Sequence, residues 1–120
     1  MRLSQVVDCL GCEVLSGQDC LGREVDRCFA ADLMSDVLAY AQHGGLLLTG
    51  LASAQSVHTA EIADMGAVVL VRGKRPTDEV IAFAQRCGLP LLLTSHSMFD
   101  ACGLLFTLGL RSPLASETTV

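Results

Sequence analysis

The chain has 120 residues, 51% of them hydrophobic and 18% charged, and its formal net charge is −5 at pH 7. This length predicts one domain with a hydrophobic core of its own. An acidic chain with one Tyr and no Trp lacks the basic stripe and the stacking aromatic side chains of a nucleic-acid-binding surface, so we expect no nucleic-acid partner. No apolar run approaches the roughly 18 residues of a membrane span, and the start lacks the apolar stretch of a signal peptide, which predicts a cytoplasmic protein without membrane contact.

Four elements are predicted in the first half of the chain: helix 4–10, strands 12–15 and 25–31, and helix 32–41. Ser4 can cap the first helix, and Gly11 fits the left-handed residue that often ends one. Asp32 or Ser35 is expected to cap the second helix, whose apolar side chains recur at helical spacing.

The second half repeats one unit three times: a short apolar strand, a small polar cluster and a helix. The strands are predicted at 45–49, 67–71 and 90–94, and the helices at 53–64, 77–87 and 97–108. Ser53, Thr77 and Ser97 stand where helix caps are expected. Continuous apolar runs that alternate with helices are typical of parallel strands buried on both faces.

These elements predict an α/β fold, a single-domain layered sandwich in which a largely parallel sheet of about four to five strands is flanked by helices. The domain is expected to span 1–110, and the polar segment 111–120 is expected to form a flexible tail. The hydrophobic fraction is high for a soluble monomer of this size, which predicts either a subunit interface or a surface docked to other domains. We expect a homodimer.

Polar residues cluster where the three apolar strands end. In parallel sheets, ligands bind outside the carboxyl ends of the strands. Hydroxyls, exposed backbone N–H groups and positive charge at that edge would suit a phosphate or a carboxylate. The predicted ligand-binding residues are therefore Thr49, Ser53, Arg72, Gly73, Lys74, Thr94, Ser95 and Ser97. The alternative is a set of ordinary caps and turns beside a solvated basic loop.

Motifs for catalysis and for phosphate loops are missing from the sequence. Neither GxGxxG nor GxxxxGK[ST] occurs. Ser95, His96 and Ser97 are sequence neighbours in a loop and do not form a nucleophile with a partnered base. Asp32 and Asp36 could form a carboxylate pair on one helix face, although acidic side chains are favoured at a helix start in any case. We therefore expect no enzymatic activity.

The cysteines leave three interpretations open. Cys9 and Cys12 form a CxxC motif, and Cys20 and Cys28 follow it. Together these four could hold a metal or an iron–sulfur cluster, although a structural zinc site usually shows a second CxxC or a paired His. The second interpretation is a redox pair of thiols. The third is small buried hydrophobic side chains in a reducing compartment. The leading prediction is a protein without a bound cofactor.

Four stretches of the sequence resemble the DRTGG domain family, and the likeness covers roughly residues 1–110. They are VLSG at 14–17, ADLMSDV at 31–37, RGKRP at 72–76 with EVI at 79–81, and LLTS at 92–95 with SMFDACG at 97–103. The family's Thr-Gly-Gly after the central strand is replaced here by Val71-Arg72-Gly73, and its Asp-Arg pair by the region of Ser53-Ala54-Gln55.

This resemblance implies an α/β domain related to the N-terminal domains of HPr kinase/phosphorylase. Similar domains accompany phosphotransacetylases and lie beside CBS modules in regulatory pyrophosphatases, where the neighbourhood responds to adenine nucleotides. The resemblance thus implies a regulatory or assembly role with an adenine nucleotide as a candidate ligand. Stand-alone members are often encoded beside iron-only hydrogenases, which implies a hydrogenase-type redox enzyme as a candidate protein partner.

Overall fold

The computed structural model describes residues 1–114 as five helices and five strands, with a short 3-10 turn at Gln18–Cys20. The helices are α1 (Leu3–Leu10), α2 (Met34–Tyr40), α3 (Ala54–Ile62), α4 (Asp78–Cys87) and α5 (Met98–Leu108). The strands are β1 (Glu13–Ser16), β2 (Cys28–Ala30), β3 (Leu46–Thr49), β4 (Ala67–Leu70) and β5 (Leu91–Leu93). No described helix combines the length and the apolar character of a membrane span.

All five strands form one sheet in the order β1-β5-β4-β3-β2. The four strands from β2 to β5 are parallel, and β1 pairs antiparallel with β5 at one edge. In the centre of the sheet, Val68 of β4 lies opposite Leu47 of β3 and Leu91 of β5. This confirms the predicted α/β fold with a largely parallel sheet.

The helices cover both faces of the sheet. One core cluster joins α1 and α5 to the sheet through residues such as Leu3, Val6 and Leu105. The other joins α2, α3 and α4 to the opposite face through residues such as Val37 and Val57. Because both faces are covered, β3 and β4 are buried along their whole length, which explains their continuous apolar sequences.

Two predicted features of the first half are wrong because backbone pairing replaces them. Helix α1 begins at Leu3, and the Ser4 N–H donates to the Leu21 carbonyl at 2.9 Å. The backbone N–H at the helix start is thus bonded to a neighbouring segment of the same chain and is not capped by the Ser4 side chain. The predicted strand 25–31 shortens to β2, because the Val25 N–H donates to the Met1 carbonyl at 2.7 Å.

The predicted caps in the rest of the chain differ in outcome. Helix α2 follows Leu33 and has no side-chain cap, so the prediction of Asp32 or Ser35 as its cap is wrong. The prediction is confirmed for Thr77, which accepts the Val80 N–H at 3.4 Å, and for Ser97, which accepts the Asp100 N–H at 3.2 Å. Ser53 does stand at the start of α3, but its hydroxyl makes no capping bond.

The predicted tail, 111–120, lies partly outside the described residues, which end at Leu114. At its start, Arg111 forms a parallel bridge with Arg27 at the edge of the sheet. The Cys28 N–H donates to the Arg111 carbonyl at 2.9 Å. The chain is therefore attached to the outer side of β2 just after α5.

Candidate functional site

The carboxyl ends of β3, β4 and β5 lie side by side, because these strands are adjacent and parallel. We call the residues that follow them, 49–53, 71–75 and 94–97, the strand-end rim. All eight residues predicted to bind a ligand lie on it, from Thr49 at one side to Ser97 at the other. The rim is the place where ligands bind in sheets of this type.

Two backbone hydrogen bonds tie the loop after β4 to the loop after β5. The Arg72 N–H donates to the His96 carbonyl, and the Gly73 N–H donates to the Thr94 carbonyl, both at 2.7 Å. Arg72 and Gly73 each have a φ of 65°, in the left-handed region. This conformation costs a residue with a Cβ about 1–2 kcal/mol, so strain is held at Arg72, and such strain is often found at functional positions.

The two threonines of the rim are buried and bonded within the protein. The Thr94 hydroxyl donates to the Leu10 carbonyl at 2.7 Å and accepts the His96 N–H at 3.3 Å. The Thr49 hydroxyl donates to the Asp32 carboxylate at 3.2 Å and accepts the Leu51 N–H at 3.1 Å. Their hydroxyls therefore hold the loops in place.

Asp32 contacts the rim and was not among the residues predicted to bind a ligand. Its Oδ1 accepts the Gly50 N–H at 2.7 Å, in addition to the Thr49 hydroxyl. Sequence patterns indicated a helix cap or a pair with Asp36, because Asp32 precedes a helical stretch. The missed signal was its place two residues after the end of β2, which is parallel to β3 and ends at the same edge.

The Arg72 guanidinium lies directly over Gly50. A Cβ built on Gly50 would be 2.5 Å from Nη2 of Arg72 and 3.4 Å from Oδ1 of Asp32. The absence of a side chain at Gly50 therefore allows a guanidinium and a carboxylate to approach the same backbone segment. This part of the rim carries charges of both signs.

The remaining rim donors point to the surface. Arg72, Gly73, Lys74, Ser95 and Ser97 are all exposed. Neither Arg72 nor Lys74 forms a salt bridge with a carboxylate of residues 1–114. Both cations can therefore pair with an anion from solution without first breaking an internal ion pair.

Ser53 differs from its neighbours on the rim. Its Oγ is buried and has no hydrogen-bond partner among the described residues. The Ser53 carbonyl, by contrast, accepts a hydrogen bond from the Ser56 hydroxyl at 2.9 Å. A buried hydroxyl without a partner is unusual, because most buried polar groups are hydrogen-bonded.

The structure does not bring Cys9, Cys12, Cys20 and Cys28 together as a ligand set. Burial, with a smaller effect of the neighbouring Cys9, raises the pKa of Cys12 to about 12. Burial, with a smaller effect of Cys102, raises the pKa of Cys28 to about 12. Within residues 1–114, no three His, Cys, Asp or Glu side chains are placed to hold a metal ion.

Comparison with known proteins identifies the family. The model of the DRTGG domain matches residues 5–107. The chain belongs to the DRTGG domain family. A search of curated proteins found no match to this chain.

A solved structure shares the fold of this DRTGG domain. It contains the CBS and DRTGG domains of the regulatory region of the Clostridium perfringens pyrophosphatase, complexed with the activator diadenosine tetraphosphate. The TM-score is 0.72 at 16% identity, over 87% of this chain and 45% of the other. The chain thus spans less than half the length of that regulatory region.

The backbone of Arg72 has an unusual conformation for a residue with a side chain, because its φ of 65° lies in the left-handed region. A glycine would adopt the left-handed conformation without a steric penalty. In this chain the arginine adopts it at a cost, and its guanidinium is thereby brought over Gly50.

Proposed function

We propose that this DRTGG domain is a non-enzymatic, ligand-sensing regulatory domain that binds a nucleotide or another small anion at the strand-end rim. The observation that carries the proposal is the position of Arg72. Its exposed guanidinium has no salt-bridge partner within residues 1–114 and is held over Gly50 by a strained backbone. Lys74 adds a second exposed cation two residues further on.

An adenine nucleotide is the ligand to test first. The regulatory region of the Clostridium perfringens enzyme, 45% of which matches this fold, is complexed with diadenosine tetraphosphate as its activator. Polyphosphate groups match the charge and the hydrogen-bond donors of Arg72 and Lys74. The proposal places the domain in the cytoplasm, where such nucleotides are abundant, and assigns it neither a nucleic-acid nor a membrane partner.

The rim includes no nucleophile with a partnered base, which favours binding over catalysis. The Ser97 hydroxyl caps α5 and the Thr94 hydroxyl bonds to a backbone carbonyl. His96 contributes its backbone carbonyl to the Arg72 N–H. These groups serve the fold of the rim, so the proposed role is to sense a ligand.

A second candidate function is docking onto another protein, and helix α5 favours it. The exposed fractions of its apolar side chains are 85% for Phe99, 56% for Phe106 and 46% for Leu108. Large exposed apolar side chains on one helix are typical of an interaction surface. A second copy of the chain, giving a homodimer, and a hydrogenase-type redox enzyme are the two partners proposed for this helix.

A thermal-shift experiment tests the leading proposal. A ligand that binds only the native state raises the melting temperature, so ATP and diadenosine tetraphosphate should raise it for the unsubstituted chain. The shift should disappear in Arg72→Ala and Lys74→Ala. It should persist in Arg86→Ala, which removes an exposed arginine from the last turn of α4. A shift that survives in the first two variants would show that the rim is not the site.

A further inference from the structure

A cavity lies between the edge strand β2 and helix α5, away from the strand-end rim. Its volume is about 270 Å³. It is lined by Cys28, Phe29 and Ala30 of β2, by Cys102, Leu105 and Phe106 of α5, and by residues 110–112. The volume is slightly below the range for drug-sized ligands, about 300–1,000 Å³, so the cavity would suit a smaller molecule.

Arg111 lies in the wall of this cavity in a fixed position. Its Nη1 donates to the Leu110 carbonyl at 2.8 Å and to the Phe106 carbonyl at 3.0 Å. Its guanidinium carbon is 3.9 Å from the centre of the Phe106 ring. These contacts immobilise the side chain, so little conformational entropy would be lost when it binds a ligand.

The Arg111 guanidinium still has donors to offer. Within residues 1–114, both hydrogen bonds of the Arg111 side chain are donated by Nη1, and the side chain forms no salt bridge. An arginine has five N–H donors in a planar fork that matches a carboxylate. An oriented cation that has no salt-bridge partner among residues 1–114 and lies beside a cavity is best matched by an anion.

The rest of the wall is apolar except for Ser112. Phe29, Leu105 and Leu110 contribute hydrocarbon surface, and the two thiols of Cys28 and Cys102 are neutral because burial raises the pKa of each. Neutral thiols behave as small hydrophobic groups. The chemistry of the wall thus favours an organic molecule over a metal ion.

We propose that this cavity binds a small organic carboxylate, whose carboxylate group pairs with Arg111 and whose apolar body lies between β2 and α5. The charged head explains the use of Arg111, and the apolar body explains the hydrocarbon and thiol lining. This site is independent of the strand-end rim, and its ligand carries one negative charge where the rim would bind a polyphosphate.

The test uses octanoate as the probe and 1-octanol as its neutral counterpart. Titration of the isotope-labelled full chain, followed by NMR, should shift the signals of Ala30, Leu105 and Leu110. Arg111→Gln should weaken octanoate binding about tenfold or more, since a charge-assisted hydrogen bond is lost, and should leave 1-octanol binding unchanged. Arg86→Gln, which makes the same change of charge on α4, should bind octanoate like the unsubstituted chain.

Three outcomes would overturn the proposal. The first is a titration of the unsubstituted chain in which octanoate shifts none of the cavity signals, a result that does not depend on the folding of any variant. The second is equal weakening of octanoate binding by Arg111→Gln and Arg86→Gln, which would indicate unspecific attraction. The third is displacement of octanoate by ATP, which would place octanoate at the rim.

Discussion

The carboxylate of Asp32 accepts the backbone N–H of Gly50 at 2.7 Å, at the point where the guanidinium of Arg72 lies over the same glycine. An acidic side chain from the end of β2 thus occupies a backbone donor at the end of β3. An anion that approaches Arg72 meets this negative charge. Asp32 is therefore expected to lower the affinity of the rim for anions and to raise its selectivity among different anions.

Asp32→Asn should bind ATP more tightly than the unsubstituted chain, by about twofold to tenfold, because a nearby like charge is removed. The amide oxygen can still accept the Gly50 N–H, so the melting temperature should change little. Isothermal titration at low and high salt measures both effects, and the gain should shrink as salt screens the charges. Weaker binding by Asp32→Asn would mean that Asp32 contacts the ligand directly, for example through a ribose hydroxyl.

Gly50→Ala should impair ligand binding more than it impairs folding. The new Cβ would meet the end of the flexible Arg72 side chain, which can move away at little cost. The guanidinium would then leave its position over the rim, so we expect a several-fold loss of ATP affinity with a change in unfolding free energy of about 1 kcal/mol or less.

The matched control for that change is Gly103→Ala, where an added Cβ meets nothing within 4 Å. Gly103 is an exposed position within α5, so alanine there should stabilise the helix by about 0.5–1 kcal/mol and leave ATP affinity unaltered. Equal binding by the two alanine variants would contradict the role given to Gly50. Chemical denaturation and calorimetric titration of both variants provide the comparison.

Arg72→Gly should stabilise the fold while it abolishes ATP binding. Glycine relieves the left-handed strain at φ 65°, and the net gain should be about 0.5–1 kcal/mol after the entropy of glycine in the unfolded chain is counted. Arg72→Ala keeps a Cβ in the strained conformation, so it should lose binding without gaining stability. If Arg72→Gly is less stable than Arg72→Ala by the entropy cost of glycine, about 0.5–1 kcal/mol, the strain at Arg72 is negligible.

Stability should fall between about pH 9 and pH 12 in part because of Cys12 and Cys28. Each thiol has an ordinary pKa of 9.0 that the folded state raises to about 12. In this pH range the folded protein therefore keeps two protons that the unfolded chain releases. The contribution of the two neutral thiols to the free energy of unfolding is present in full below pH 9 and is lost as the pH rises toward 12. Denaturation of Cys28→Val at several pH values should show a shallower decline, whereas an unchanged slope would contradict a raised pKa at Cys28.

The sequence was sufficient to predict the central strands and the caps of the last two helices. The apolar runs of β3 and β4 have few alternatives when both faces are covered, and the Thr77 and Ser97 caps depend only on local chain geometry. Those two strands and β5 are neighbours, and their order brings the eight predicted rim residues to one edge.

Features that depend on contacts distant in sequence could not be predicted. The start of α1 is satisfied by the Leu21 carbonyl, and Asp32 bonds to Gly50 instead of capping α2. The strain at Arg72 follows from its bond to the His96 carbonyl, 24 positions further on, which no local pattern reveals.

The pair of backbone hydrogen bonds between the loops after β4 and β5 couples the position of the rim to that of α5. Arg72 is bonded to His96, and Ser97, the next residue, caps the helix that exposes Phe99. A ligand that shifts the Arg72 loop would displace the first turn of α5, and a protein bound to α5 would restrain the Arg72 loop in return. By thermodynamic reciprocity, each occupant would then change the affinity of the other by the same factor.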